Sequence, residues 1–231
     1  LDRFTLFFPE KRPFFLENAG QFTVGNAGEV DLFFSRRIGI APTGDPLPIV
    51  AGGRLSGKLL GWNLGVLDMQ TQGLEGVAPD NNFAVIRIAR DMPNRSGFGA
   101  LFINRQSTGD LVVPGVAEYN RTYSVDGRKG FGRYSQVTGF LAGTSTPGIT
   151  SDAWAWDGAF LRESPRFDTR VKFTNVGSGF NPEVGFLRRR AFRKIDLHVL
   201  NRTRPKDFIG IQELRPHISY RGYFKPDGFY E

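Results

Sequence analysis

The sequence predicts an all-β fold built as an antiparallel meander. Apolar and polar residues alternate with a period of two in several runs, while helical periodicity is nearly absent. Turn-forming pairs such as Asp126-Gly127 and Pro147-Gly148 separate the runs. The 22 phenylalanines and 29 glycines are also more typical of strands and turns than of helices.

The alternation divides each run into two faces. The cleanest case places Phe167, Thr169, Val171 and Phe173 opposite Asp168, Arg170, Lys172 and Thr174. A second run places Trp154, Trp156, Gly158 and Phe160 opposite Ala153, Ala155, Asp157 and Ala159. In the run 82–90 both faces are apolar, so the pattern predicts a strand without indicating which side faces water.

The pattern predicts strands over 32–40, 50–60, 61–72, 82–91, 97–106, 120–127, 133–144, 151–163, 167–176, 194–204 and 214–224. Residues 1–30 form an irregular, Phe/Pro-rich N-terminal segment, which we interpret as a plug or a connection, and residues 31–231 form the antiparallel β-sheet domain. Within the first segment, Pro9-Glu10-Lys11-Arg12-Pro13 is interpreted as structural. Residues 177–193 are predicted to be a basic link.

Composition and motifs indicate no enzyme. The chain has no cysteine and only two histidines, His198 and His217, so neither a disulfide nor a metal site is expected. There is no Gly-x-Ser-x-Gly elbow and no phosphate-binding loop. We therefore expect no catalytic residue and no cofactor. A carbohydrate-active enzyme is the weakest alternative, because no acid–base pair of carboxylates can be named.

The charge of the chain favours anionic partners. It carries 30 Lys+Arg against 23 Asp+Glu, a formal net charge of +7. The expected partners are a membrane or a membrane-protein complex, with contacts to anionic lipid, lipopolysaccharide or an acidic protein surface, and no nucleic acid. The candidate residues for binding an anion or a partner are Arg36, Arg37, Arg188, Arg189, Arg190 and Arg193. The alternative for Arg36 and Arg37 is a lumen-facing arginine or a surface pair, and the alternative for Arg188, Arg189 and Arg190 is a solvated loop.

Periodicity alone leaves two architectures open. A membrane β-barrel needs strands of about 9–11 residues whose outward side chains are apolar. A soluble β-sandwich shares the same alternation and the same turn residues. No run of 18 apolar residues is present, so a membrane-spanning helix is not expected.

Ordered sequence blocks favour the barrel. Residues 6–20 read LFFPEKRPFFLENAG and resemble the "FFPEKRPFFLEG" signature of a bacterial family of unknown function. Further blocks follow in order and resemble the same family: FFSRRIG at 33–39, GGRLSGK at 52–58, GALFINRQ at 99–106, NRTYSVDG at 120–127 and FNPEVGFL at 180–187. Six ordered blocks within the first 190 residues are a specific resemblance.

The resemblance implies a domain order and a location. Members carry a family-9-like carbohydrate-binding domain followed by an outer-membrane-barrel-like region, and this chain resembles the first half of the barrel region. The implied location is the bacterial cell envelope, at the outer membrane or on its periplasmic side. The expected function is non-enzymatic: saccharide or solute handling, or surface anchoring. The alternative is a barrel-derived accessory subunit, docked as a partial barrel or sandwich onto a larger membrane complex.

Overall fold

A computed structural model describes residues 9–17, 19–41, 43–205, 209–226 and 228. Most of these residues belong to one ten-stranded antiparallel sheet, in which strands adjacent along the chain are adjacent in the sheet. The all-β meander predicted from the sequence is confirmed.

Short elements precede and interrupt this sheet. They are the helix α1 (Pro13–Leu16), two 3-10 turns (Ala19–Phe22 and Ser35–Arg37), and the two-residue strands β1 (Gly25–Asn26), β2 (Val30–Asp31) and β11 (Phe186–Leu187). The large sheet consists of β3 (Ile49–Leu59), β4 (Trp62–Thr71), β5 (Asp80–Met92), β6 (Ser96–Thr108), β7 (Tyr119–Phe131), β8 (Ser135–Ser145), β9 (Trp154–Glu163), β10 (Phe167–Val176), β12 (Phe192–Asn201) and β13 (His217–Phe224).

The two ends of the large sheet differ in their connections. At the short-turn end, two or three residues join neighbouring strands at 60–61, 93–95, 132–134 and 164–166, and only the last connection, 202–216, is long. Leu60 and Gly61 have φ of 50° and 81°, the left-handed conformation that a two-residue hairpin loop requires. At the long-loop end, the connections span residues 72–79, 109–118, 146–153 and 177–191.

The large sheet has an inner face, which packs against other parts of the chain, and an outer face on the opposite side. Residues 9–41, called the N-terminal segment below, lie on the inner face together with residues 177–191. Strands β1, β2 and β11 form a small sheet there, because Asp31 pairs with both Gly25 and Phe186. The buried core lies between this layer and the large sheet, and includes Phe22, Val30, Leu32, Ile38, Leu67, Val85, Ile103, Ala155, Val176, Phe180 and Phe192.

Close packing and hydrogen bonds fix the N-terminal segment to β3 and β4. A Cβ atom at Gly65 would lie 2.9 Å from the ring of Phe22, so only glycine leaves room for that ring. Arg54 of β3 donates hydrogen bonds to the Phe14 carbonyl oxygen at 2.6 Å and to Glu17 Oε2 at 2.8 Å. Helix α1 is therefore held against the first strand of the large sheet.

Glu10 and Arg12 organise the turn before α1. Arg12 pairs with Glu10 at 2.8 Å and also donates to the carbonyl oxygens of Ser35 and Ile38. The hydroxyl of Ser35 donates to Glu10 at 2.8 Å. Burial of Glu10 opposes ionisation, but the hydrogen bonds from Arg12, Ser35 and the Lys11 amide outweigh it and lower the pKa of Glu10 to about 2. The structural interpretation of Pro9–Pro13 agrees with these contacts.

Two local predictions are wrong. Residues 32–40 do not form a strand: they contain a 3-10 turn at Ser35–Arg37 and an isolated bridge at Ile40. Their apolar side chains Leu32 and Ile38 fill the core instead of a sheet face. Asp126-Gly127 is not a turn, because β7 runs on to Phe131 and both residues pair with β6 and β8. The extended pairing on both sides overrides the local turn preference.

The large sheet is open. In the described part of the chain, β3 pairs only with β4 and β13 pairs only with β12. The short helical elements in the same ranges include none with the length and hydropathy needed to cross a membrane.

Candidate functional site

The outer face of the large sheet carries an apolar belt. In β9 the outward residues Trp154 and Trp156 are 47% and 42% exposed, whereas the inward Ala155 between them is fully buried. The register extends this belt across neighbouring strands. Its exposed members include Leu55, Val66, Ile86, Ile88, Phe98, Phe102, Tyr123, Val125, Val137, Leu141, Phe160, Val171, Ile218 and Tyr220.

Charged side chains on the outer face are confined to the strand ends. By the register of the ten strands, the outward charged residues are Asp68, Asp80, Arg90, Arg121, Lys129, Arg162 and Arg193. Each lies within three residues of the end of its strand. All three tryptophans of the chain, Trp62, Trp154 and Trp156, are also on the outer face. The middle of the outer face is therefore apolar and aromatic without charge.

The inner face near the short-turn end is instead lined by charged side chains. They border a cavity of about 510 Å³, called the charged cavity below. The charged residues lining it whose side chains point inward by register are Arg87, Asp91, Asp126, Arg128, Asp157, Arg170, Lys172, Lys194 and Asp196. Several of these, such as Arg87 and Asp126, lie in the middle of their strands.

Arg87 and Asp126 form a largely buried, bidentate ion pair at this cavity. Both terminal nitrogens of Arg87 bind the carboxylate, one of them to Asp126 Oδ2 at 2.9 Å, and the Arg87 side chain is only 7% exposed. A Cβ at Gly99 would lie 2.7 Å from the guanidinium, so this glycine makes the space for it. The bidentate geometry fixes Arg87 against the wall.

Further ion pairs link different elements around the cavity. Lys172 lies 3.3 Å from Asp157, and Lys194 lies 2.7 Å from Glu29 of the N-terminal segment. Asp91 and Arg128 pair at 2.5 Å. Arg170 is exposed in the cavity, and no carboxylate of the described residues lies within 4.0 Å of it. The cavity is therefore a polar chamber in which Arg170 is available to a solute.

The structure brings only two of the six candidate arginines to one cavity. Arg37 and Arg190, which are 153 positions apart in the sequence, line a second cavity of about 410 Å³ at the long-loop end, called the arginine cavity below. Arg37 Nε donates to the Gly185 carbonyl oxygen at 3.2 Å. Arg190 donates to Asn181 Oδ1 at 2.8 Å.

The other four candidates are dispersed. Arg36 donates to the Pro9 carbonyl oxygen at 3.1 Å, and the Arg189 guanidinium lies 5.5 Å from the centre of the Tyr223 ring. The Arg188 amide donates to the Glu29 carbonyl oxygen. Arg193 lies on the outer face and donates to Asn175 at 3.3 Å. The six residues thus do not form one surface, and their role in binding stays a prediction.

Sequence reasoning missed the residues of the charged cavity. Part of the signal was present, because Arg87 interrupts the otherwise apolar face of Phe83, Val85 and Ala89 at a mid-strand position. The two histidines are also closer than their separation of 19 positions suggests: their ring centres lie 6.0 Å apart, and His198 Nδ1 is 2.7 Å from the Ser219 hydroxyl. In the part of the chain that the structure describes, no three metal-binding side chains cluster.

Comparison with known proteins identified no relative of this chain. No protein-family model, no curated protein and no solved structure matches this chain.

Proposed function

We propose that this chain forms the wall of a bacterial outer-membrane β-barrel whose partly filled interior handles polar solutes. One observation carries the proposal: charge is confined to the strand ends on the outer face, but occupies mid-strand positions on the inner face. This is the distribution expected where lipid contacts the outer face and water the inner face.

A soluble sheet protein would distribute these residues differently. In a β-sandwich the apolar faces of two sheets pack together, and the opposite faces are polar. Here large apolar side chains remain exposed on the outer face, from Leu55 in β3 to Tyr220 in β13. A contiguous apolar surface of this kind marks a membrane or protein contact. Its continuity along ten strands favours lipid, which can cover a broad surface without specific complementarity.

Strand length agrees with the same proposal. Nine of the ten strands have 10–13 residues, and β13 has eight. A tilted strand needs about 9–11 residues to cross the hydrocarbon core. Outward residues from Trp154 to Phe160 extend the apolar belt over about 20 Å along β9 at about 3.3 Å per residue.

The charged cavity favours solute handling over anchoring alone. The N-terminal segment fills the interior toward the long-loop end, while a volume of about 510 Å³ remains toward the short-turn end. An anchor does not require an accessible chamber lined with ion pairs, whereas a pathway for polar solutes does. The carbohydrate-binding domain that the family resemblance implies makes saccharides the first solute class to test.

Tryptophan fluorescence tests membrane insertion directly, because Trp62, Trp154 and Trp156 all point outward. The full chain is refolded into phosphatidylcholine vesicles with ordinary or brominated acyl chains. We expect brominated lipid to quench most of the tryptophan emission and aqueous iodide to quench little of it. Quenching by iodide alone would contradict insertion.

The matched control moves the reporter to the inner face. All three tryptophans are replaced by phenylalanine and Thr138, which lines the charged cavity, is replaced by tryptophan. This variant should respond to iodide and not to brominated lipid. Conductance or saccharide uptake by the same vesicles then tests solute handling. Insertion without any solute passage would leave anchoring as the function.

The open edges of the sheet favour a second candidate, an accessory subunit docked on a larger membrane complex. Within hydrocarbon, the unpaired backbone groups of β3 and β13 each cost several kcal/mol unless another strand binds them. Cysteines introduced together at Leu55 and Ile218 allow disulfide trapping of an adjoining strand, because the chain has no native cysteine. Trapping of a different protein supports the subunit, and trapping within one polypeptide supports a closed barrel.

A further inference from the structure

The arginine cavity contains more positive charge than its carboxylate neutralises. Glu183, the acidic residue in its lining, is bound by Arg105, whose Nε lies 2.9 Å away and whose terminal nitrogen lies 2.7 Å away. The second carboxylate oxygen of Glu183 accepts from Asn181 at 3.2 Å. Among the described residues, neither Arg37 nor Arg190, both of which are exposed, has a carboxylate partner.

The partners of Arg37 and Arg190 are neutral oxygens, a backbone carbonyl and an amide. Partial burial, and then the neighbouring positive charge of Arg190, lower the pKa of Arg37. Two cations that repel each other in a partly enclosed space are an unfavourable arrangement. An anion placed between them removes this repulsion and accepts hydrogen bonds from both planar guanidinium groups.

One part of the cavity wall is apolar. Ile40, Ala41, Leu47, Ala78, Phe83 and Leu187 line it beside the two arginines. The volume of about 410 Å³ lies within the range of small-molecule sites, about 300–1,000 Å³. Apolar walls with a few convergent cationic groups are suited to a molecule that has an apolar body and one charged end.

We infer that Arg37 and Arg190 bind a small organic oxyanion, a carboxylate or a phosphate monoester with an apolar body, at the long-loop end of the sheet. The inference gives the proposed solute-handling function a ligand class and rests on that function for its biological role. Binding itself does not require a closed barrel. The apolar body lies against Phe83 and Leu187, while its oxyanion bridges the two guanidinium groups.

Calorimetric titration of the full refolded chain in detergent tests the site. The probes are benzoate and phenyl phosphate, compared with the neutral benzamide and with inorganic phosphate. We expect at least one aromatic anion to bind more tightly than benzamide by about tenfold, the value of one charge-assisted hydrogen bond. Inorganic phosphate, which cannot contact the apolar walls, should bind more weakly than phenyl phosphate.

Two substitutions assign the binding to the arginines. Arg37→Gln and Arg190→Gln should each weaken binding of the anion by about tenfold. Arg37→Lys should recover only part of the loss, because an ammonium group lacks the planar fork. Arg128→Gln is the matched control: it removes one positive charge from the charged cavity and should leave binding unchanged.

Several outcomes overturn the inference. The first is that no probe binds at concentrations up to about 10 mM, which corresponds to a binding free energy weaker than about 3 kcal/mol. The second is that benzamide binds as tightly as the anions. The third is that Arg128→Gln weakens anion binding as much as Arg37→Gln and Arg190→Gln do. If Arg37→Gln fails to fold, Arg190→Gln decides, because Arg190 donates to a side-chain amide and not to the backbone carbonyl that Arg37 binds. Tryptophan quenching is measured on the same refolded protein after its transfer into vesicles. Failure of anion binding and failure of membrane insertion are therefore distinguished.

Discussion

The outer and inner faces of the large sheet place consecutive residues in opposite surroundings. In β7, Val125 is 55% exposed within the apolar belt, while the next residue, Asp126, points inward and binds Arg87. Side chains alternate across a strand, so a shift of one position exchanges the two environments. Consecutive residues of one strand therefore lie in the apolar belt on the outer face and beside the charged cavity on the inner face.

The inner face is itself divided. Toward the long-loop end it is apolar and covered by the N-terminal segment, where Met69 and Phe83 of the sheet share a buried core with Leu32 and Ile38. Toward the short-turn end it is charged and borders the charged cavity. Only the outer face keeps one character along the middle of all ten strands. The composition of the outer face thus reflects what surrounds the sheet, and the composition of the inner face reflects the segments and cavities that lie against it.

The largest expected effect comes from a charge placed in the apolar belt. Val125→Lys should destabilise the protein in lipid vesicles by about 2–4 kcal/mol, because a lysine near the bilayer centre loses its hydration. The matched inner-face variant Thr138→Lys should change the free energy of unfolding by less than about 0.5 kcal/mol. Urea titration of vesicle-inserted protein measures both. Equal, small effects of the two substitutions would mean that water contacts both faces, and would contradict the proposed difference between them.

A smaller effect is expected within the charged cavity. Asp126→Asn leaves the 7% exposed guanidinium of Arg87 without its counter-ion and should cost about 2 kcal/mol. Asp91→Asn is the control, because both partners of the Asp91–Arg128 pair are about half exposed and the pair should contribute less than about 1 kcal/mol. Similar losses in the two variants in urea titrations would show that burial does not separate these pairs.

The smallest effect is the pH dependence at Glu10, outside the large sheet. The pKa of Glu10 is lowered from 4.5 to about 2, so its contribution to stability is fully present above pH 4.5 and is lost as the pH falls through about 2. After allowance for solvent screening, this contribution is about 1 kcal/mol. Glu10→Gln should flatten the stability profile in this pH range. A profile that is unchanged by the substitution would refute the role of the Glu10–Arg12 network.

Much of the sheet could be predicted from the sequence. The predicted strand 167–176 coincides with β10, and the residues predicted to share a face of β9 and of β10 do so by the strand register. Prediction works there because the side-chain period of two is a local property and the flanking turns are read from a few residues. The prediction of a strand failed for 32–40, because the apolar residues of this segment pack into the core on the inner face of the sheet and do not form a strand.

The amino-acid sequence alone predicts the all-β class, the alternation and most strand positions. The outward face of β5 is known only from the folded structure, because Phe83 and Ile86 are both apolar, yet Phe83 is buried and Ile86 is exposed. The tertiary structure also decided that Arg37 and Arg190 share a cavity and that Arg193 does not reach it. Alternation acts between neighbouring residues, whereas burial and the meeting of distant charges depend on how the N-terminal segment folds back onto the sheet.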